Sequence, residues 1–215
     1  MSNPTQRFHE QFKICPIVAI LRGLSPDDAE WVGATLFESG VRIIEVPLNS
    51  PFPLKSIEIL RKTLPVEAII GAGTVTQQAD VSAVANAGGE IVVSPNTDPE
   101  VIRETVAQDL ISAPGCLTPT EAFAALNAGA HALKIFPASV IGSSGIKAIH
   151  ATLPDTATLI AVGGVGASNM ADFIEVGVAG FGLGSSLFYP GISQSDLAAR
   201  AITNVKSAQA ATEHS

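Results

Sequence analysis

One lysine in this chain stands where a lysine is costly. The run His131-Ala-Leu-Lys-Ile-Phe-Pro137, preceded by Gly129, reads as a buried strand of a parallel sheet. On a strand, Ala132, Lys134 and Phe136 share one face, and Leu133 and Ile135 share the other. An ammonium in that setting loses its hydration, which costs roughly several kcal/mol unless it is paired or deprotonated. The other five of the six lysines (Lys13, Lys55, Lys62, Lys147 and Lys206) fall in segments that read as helices, where a solvated charge is cheap. A strand-end lysine can snorkel to water. Kept neutral by burial, it is instead a nucleophile able to form a Schiff base with a ketone.

Other strand ends carry matching chemistry. The first candidate strand places Val18, Ile20 and Arg22 on one face, and the second places Val41, Ile43 and Glu45. For the third, alternation predicts that Ile70, Ala72 and Thr74 are aligned. Taken singly, Arg22 and Glu45 make a structural ion pair, Thr74 a helix cap, and Asn49, Ser50 and Asn96 turn formers. Gathered at one rim, the four fit a keto acid. Arg22 and Thr74 would hold its carboxylate, Lys134 would attack the ketone, and Glu45 would move protons. Further on, Val162-Gly163-Gly164-Val165 and Gly182-Leu183-Gly184-Ser185-Ser186 are glycine-rich turns that precede predicted helices. Bare N–H groups there suit a phosphate, so the expected ligand has a keto acid at one end and a phosphate at the other.

These residues must be positioned by a repeating scaffold. Strand candidates are 16–21, 41–46, 67–72, 90–94, 110–113, 131–136, 159–162 and 178–183, and successive starts lie 19 to 28 residues apart. That spacing leaves room for one crossover helix each time, so the strands should be parallel. Eight units predict one (β/α)8 TIM barrel over residues 1–215, with a short helix at 5–13; a doubly wound open sheet is the alternative. Ser25-Pro26-Asp27-Asp28 and Thr118-Pro119-Thr120-Glu121 mark helix starts, and Gly40, Gly88, Gly129 and Gly177 mark helix stops. Residues 207–215 read as a frayed helix end.

Composition narrows the partners. The chain has 215 residues, 47% hydrophobic and 15% charged, with a formal net charge of −8. This is a globular composition, and the acidic balance disfavours nucleic acid and anionic membranes. Apolar runs fall short of the ~20 residues a spanning helix needs. Cys15 and Cys116 lack a CxxC pairing and read as reduced core residues of a cytoplasmic protein. His9, His131, His150 and His214 show no metal-ligand spacing, and neither GxGxxG nor GxxxxGK[ST] occurs, so no metal or cofactor is expected.

The ordered motifs Ile20-Leu21-Arg22-Gly23, Glu45-Val46-Pro47-Leu48-Asn49-Ser50, Gly71-Ala72-Gly73-Thr74-Val75 and Pro95-Asn96 resemble the 2-keto-3-deoxy-6-phosphogluconate/galactonate aldolases. So do Pro114-Gly115-Cys116, Thr120-Glu121-Ala122, Leu133-Lys134-Ile135-Phe136-Pro137 and Gly163-Gly164-Val165, and the likeness runs over about residues 12–206. It implies a class I aldolase, usually a homotrimer, acting on a phosphorylated keto acid. Lys134 would be the Schiff-base lysine and Glu45 the general acid/base, with Arg22 and Thr74 on the carboxylate. Gly163, Gly164, Gly184 and Ser185 would surround the phosphate, and Pro95 and Phe136 would line the pocket. Val162 is similar to the 6-phosphogalactonate branch, since the phosphogluconate branch more often has threonine there. A hydroxyl at that position can meet one configuration of the substrate C4 hydroxyl; a valine cannot. The branch implies cleavage of 2-dehydro-3-deoxy-6-phospho-D-galactonate to pyruvate and D-glyceraldehyde 3-phosphate. The 6-phosphogluconate epimer, or dual specificity, is the alternative; phosphosugar isomerase, epimerase and non-catalytic sensor are the more distant ones. Gly166-Ala167-Ser168 departs from a common Thr-Pro-Glu of relatives and weakens a helix cap.

Overall fold

The computed structural model describes residues 4–213. Its strands are β1 (Ile17–Ile20), β2 (Ile43–Pro47), β3 (Ile69–Gly73), β4 (Ile91–Val93), β5 (Ile111–Ala113), β6 (Gly115–Cys116), β7 (Leu133–Ile135), β8 (Leu159–Val162) and β9 (Gly180–Leu183). They pair in parallel in the order β5-β4-β3-β2-β1-β9-β8-β7-β6. The two edges, β5 and β6, are halves of one run separated only by Pro114, so the sheet rolls into a nearly closed barrel. Eight expected strands become nine segments because a proline has no N–H to continue the ladder. Its carbonyl still accepts from Lys134 N–H at 2.9 Å, and Ser112 O accepts from His131 N–H at 2.9 Å, which closes the wall against β7.

Helices α1 (Pro4–Ile14), α2 (Pro26–Glu38), α3 (Pro53–Thr63), α4 (Gln78–Asn86), α5 (Pro99–Ala107), α6 (Pro119–Asn127), α7 (Ala138–His150), α8 (Met170–Ile174) and α9 (Gln194–Thr212) alternate with the strands. Thr118 caps α6 with a full capping box to Glu121. Ser25 precedes α2 but makes no side-chain cap; its hydroxyl donates to Asp28 Oδ2 at 2.9 Å, and Trp31 Nε1 donates to Asp28 Oδ1 at 2.9 Å. Gly40, Gly88, Gly129 and Gly177 take left-handed φ at the expected helix stops. Residues 207–212 continue α9 rather than fray, because Ala201, Val205 and Ala208 seat that helix on the barrel. The last two residues of the predicted fray lie outside the described residues.

Two apolar cores result. The larger lies between barrel wall and helices. The smaller fills the lumen with Val18, Ile20, Ile43, Ile69, Ile91, Val93, Ile111, Ala113, Ala132, Ile160 and Val162, and Phe8 and Phe12 of α1 seal it from the end where the strands begin. The two rings stack 5.4 Å apart, and a side chain on Gly180 would run into Phe12. Arg7 pins α1 by donating to Val66 O at 2.7 Å and pairing with Glu90, which also pairs with Arg61. With one end plugged, the lumen opens only at the strands' carboxyl edge, where this fold collects its chemistry.

Candidate active site

Lys134 projects from β7 onto the lumen side, on the same face as Ala132 and Phe136, and is 7% exposed. Its Nζ lies 4.8 Å from the Phe136 ring centroid, within cation–π range. It makes no ion pair with any described residue. Burial pushes its pKa below the ordinary lysine value; Glu45 opposes the shift and Arg22 reinforces it.

Glu45 follows Ile43 on the lumen face of β2 and is 1% exposed. Its Oε2 has no hydrogen-bond partner. Burial raises its pKa to about 7, held back first by Lys134 and then by Arg22. The carboxylate rests against Gly73 of β3, where a Cβ would overlap it. On β3 the glycine is therefore what gives Glu45 its place.

Arg22 lies just beyond β1 and is gripped on two sides. Nη1 donates to Asn49 Oδ1 at 2.7 Å, and Nη2 to Thr74 Oγ1 at 3.4 Å. Thr74 reaches this position by a route that strand alternation does not foresee. Ile70 and Ala72 face the outer core, whereas Ile69 faces the lumen, so the predicted alignment with Thr74 is wrong. Thr74 has φ +56°, and this left-handed turn breaks the period of two and swings its side chain inward. Nor is it a helix cap, since Gln77 holds that position for α4.

A cavity of about 590 Å³ unites ten of the expected residues: Arg22, Thr74, Pro95, Lys134, Phe136, Val162, Gly163, Gly164, Gly184 and Ser185. Glu45 lies below its lining. After β8, Gly163 (φ +93°) and Gly164 (φ +73°) form a tight turn, and a Cβ on Gly164 would come within 2.5 Å of Ser139 Cβ. The N–H groups of Gly164 and Ser185 have no partner among the described residues. The helices expected directly after these turns start later. The five-residue α8 begins at Met170 and α9 at Gln194. The uncapped Gly166-Ala167-Ser168 delays the first, and Pro190 with Gly191 (φ +82°) delays the second. The turn is braced instead by Asn169, whose Nδ2 donates to Gly164 O at 2.9 Å and whose Oδ1 accepts from Gly166 N–H at 3.0 Å. Sequence reasoning missed Asn169, whose amide bonds back to Gly166 and Gly164 and not forward as in an Asx-turn, so no standard turn signal marks it. Gly182 and Ser186, read as part of a glycine-rich turn, lie in the cavity wall, and so does Ser168, which sequence reasoning missed.

Among the described residues, no group of three or more His, Cys, Asp or Glu could hold a metal ion, and no helix is long and apolar enough to cross a membrane. Cys15 and Cys116 are buried free thiols, and burial pushes their pKa up to about 11 and about 12. Gly73→Ala should destabilise the fold by about 1–3 kcal/mol, because the added methyl is driven into Glu45. Combined with Glu45→Ala, most of that loss should vanish, and urea denaturation of the four forms of the double-mutant cycle measures it.

Comparison with known proteins gives a consistent result. The family "Aldolase: KDPG and KHG aldolase" is matched over residues 8–205. A probable 2-dehydro-3-deoxy-6-phosphogalactonate aldolase of Rhizobium meliloti is 51% identical over 190 residues, 88% of this chain and 90% of that protein. The 2-dehydro-3-deoxy-6-phosphogalactonate aldolase of Escherichia coli K12 is 45% identical over 199 residues, 92% of this chain and 97% of that protein. A solved structure, native KDPGal, superposes with a TM-score of 0.90 at 44% identity, covering 92% of this chain and 96% of that one. On these matches, and with the barrel geometry they accompany, the chain belongs to the KDPG and KHG aldolase family.

Proposed function

We propose that this protein is a Schiff-base aldolase that cleaves 2-dehydro-3-deoxy-6-phospho-D-galactonate to pyruvate and D-glyceraldehyde 3-phosphate. The observation that carries the reading is a buried amine in the wall of one cavity, electrostatically coupled to a buried, unpartnered carboxyl. Arg22 and Thr74 receive the substrate carboxylate, and the Gly163–Gly164 and Gly184–Ser185 turns receive the phosphate.

Neutral Lys134 attacks the C2 ketone and forms a carbinolamine. Glu45 delivers the proton that lets water leave, and the product is an iminium. Glu45, directly or through a water, then takes the proton of the C4 hydroxyl. The C3–C4 electron pair flows into the iminium, releasing D-glyceraldehyde 3-phosphate and leaving an enamine on Lys134. Protonation at C3 and addition of water return pyruvate and the free amine. A carboxyl with a pKa near 7 can both give and take these protons at neutral pH. The close relatives named for the phosphogalactonate reaction support the substrate, as does Val162, which is buried beside Gly182 and Ile20 in the cavity wall. The working form in this reading is a cytoplasmic homotrimer, as the family resemblance implies, and the two unpaired thiols suit a reducing compartment.

Borohydride reduction with pyruvate should add a covalent mass to the Lys134 peptide, and Lys134→Arg should abolish both trapping and turnover. An unmodified lysine would select an isomerase or a sensor instead. Iminium formation consumes one proton, so the reactive Lys134–Glu45 pair carries one; a second proton, taken up around the Glu45 pKa of about 7, leaves Lys134 as an ammonium, and kcat/KM should fall about tenfold per pH unit below about pH 7. A profile flat from pH 5 to 7 contradicts the assignment. In side-by-side assays the galactonate epimer should be preferred, and Val162→Thr should narrow the gap by roughly tenfold, the scale of one added hydrogen bond. Equal wild-type rates for the two epimers would refute the use of Val162.

A further inference from the structure

Asn49 sits in the turn after β2, and turn formation does not explain it. That turn closes through Ser50 N–H to Pro47 O at 2.9 Å, and Leu48 N–H ties it to Gly73 O at 2.8 Å. Ser50 Oγ accepts from Gly23 N–H at 2.9 Å, locking the turn to the residue after Arg22. With the backbone secured, the Asn49 side chain is free to serve another purpose, and it points its oxygen at Arg22 Nη1. The assignment of that oxygen follows from chemistry: a guanidinium only donates, so the amide must present Oδ1.

The chemical type of this acceptor matters. Long-range coupling to Glu45 aside, Arg22 makes no ion pair with any described carboxylate, in a chain carrying 20 acidic residues. Both of its side-chain partners, Asn49 and Thr74, are neutral. A neutral acceptor fixes a guanidinium in space and leaves its charge uncancelled. A carboxylate at the same distance would add the attraction of opposite charges and occupy the charge.

We propose that Asn49 is a positioning residue for Arg22, holding the guanidinium at the cavity rim with its charge free for the incoming carboxylate. This deepens the reading in which Arg22 receives the keto-acid carboxylate, and it rests on that reading. Asn49 also has a specificity consequence, since it keeps the site selective for anionic keto acids over neutral ketones.

The test is steady-state kinetics of the full-length enzyme with the phosphorylated keto acid, together with inhibition by pyruvate. Asn49→Asp should raise both KM and the pyruvate inhibition constant at least tenfold, with kcat changed less than threefold, because the new carboxylate competes with the substrate's. Asn49→Ala should raise both about threefold, since orientation is lost but charge is kept. In an Arg22→Met background neither change should have any further effect. Unchanged KM and pyruvate inhibition in Asn49→Asp would overturn the inference, as would a lowered melting temperature with unchanged inhibition. The two failures separate cleanly. Arg22→Met with unaltered pyruvate inhibition sinks the carboxylate assignment itself. A weakened Arg22→Met alongside an unaffected Asn49→Asp sinks only the role of Asn49.

Discussion

The structure is organised around the cost of keeping an amine and a carboxyl in a space with almost no water. Lys134 and Glu45 are the charged side chains buried in the lumen, and they share it with isoleucine, valine and alanine. An isolated ion in such a place costs several kcal/mol at least. The barrel limits that cost by letting the two groups act on each other. Each moderates the shift that burial imposes on its partner, so Glu45 settles near neutrality rather than far above it. Arg22 completes the set by lowering both pKa values from the rim.

Everything around this pair either excludes water or makes room. The stacked Phe8 and Phe12 close one end of the lumen, and the Arg7–Glu90–Arg61 cluster holds their helix in place. Room comes from missing side chains. Gly73 makes space for the Glu45 carboxylate, and Gly182 for Val162 and Ile20. A barrel of this small diameter has no slack for a methyl group at these points, so deletion of Cβ does the work that a larger protein would do with a wider ring.

In the proposed reading, the two anion sites rest on different physics. At Arg22 a full charge is aimed by neutral oxygens. At the Gly163–Gly164 turn, the N–H of Gly164 has no partner among the described residues, and the Asn169 amide braces the loop. The two kinds of donor would suit a ligand with a planar carboxylate and a tetrahedral phosphate, because bidentate donation favours the first and a nest of amides the second.

How much of this was legible without coordinates depends on the range of the interactions involved. Local chemistry was readable. Strand periodicity put Lys134, Glu45 and Arg22 at one end of one sheet, glycine punctuation marked the helix stops, and a proline between two strand halves explains the extra segment. Thr74 was placed in the right pocket by the wrong alternation, because a left-handed residue resets the phase of a strand and leaves no signature in composition. Asn49 read as an ordinary turn residue, and Asn169 was not singled out. The partner of Asn49 across the rim is selected only once the strands have closed, whereas Asn169 bonds within its own loop. The sequence by itself determined which chemical groups the barrel would bring to its mouth. Tertiary structure alone decided that Glu45 is unpartnered, that Gly73 must yield to it, and that Arg22 meets neutral oxygens. Those properties depend on contacts between residues more than twenty positions apart, where no periodicity reaches.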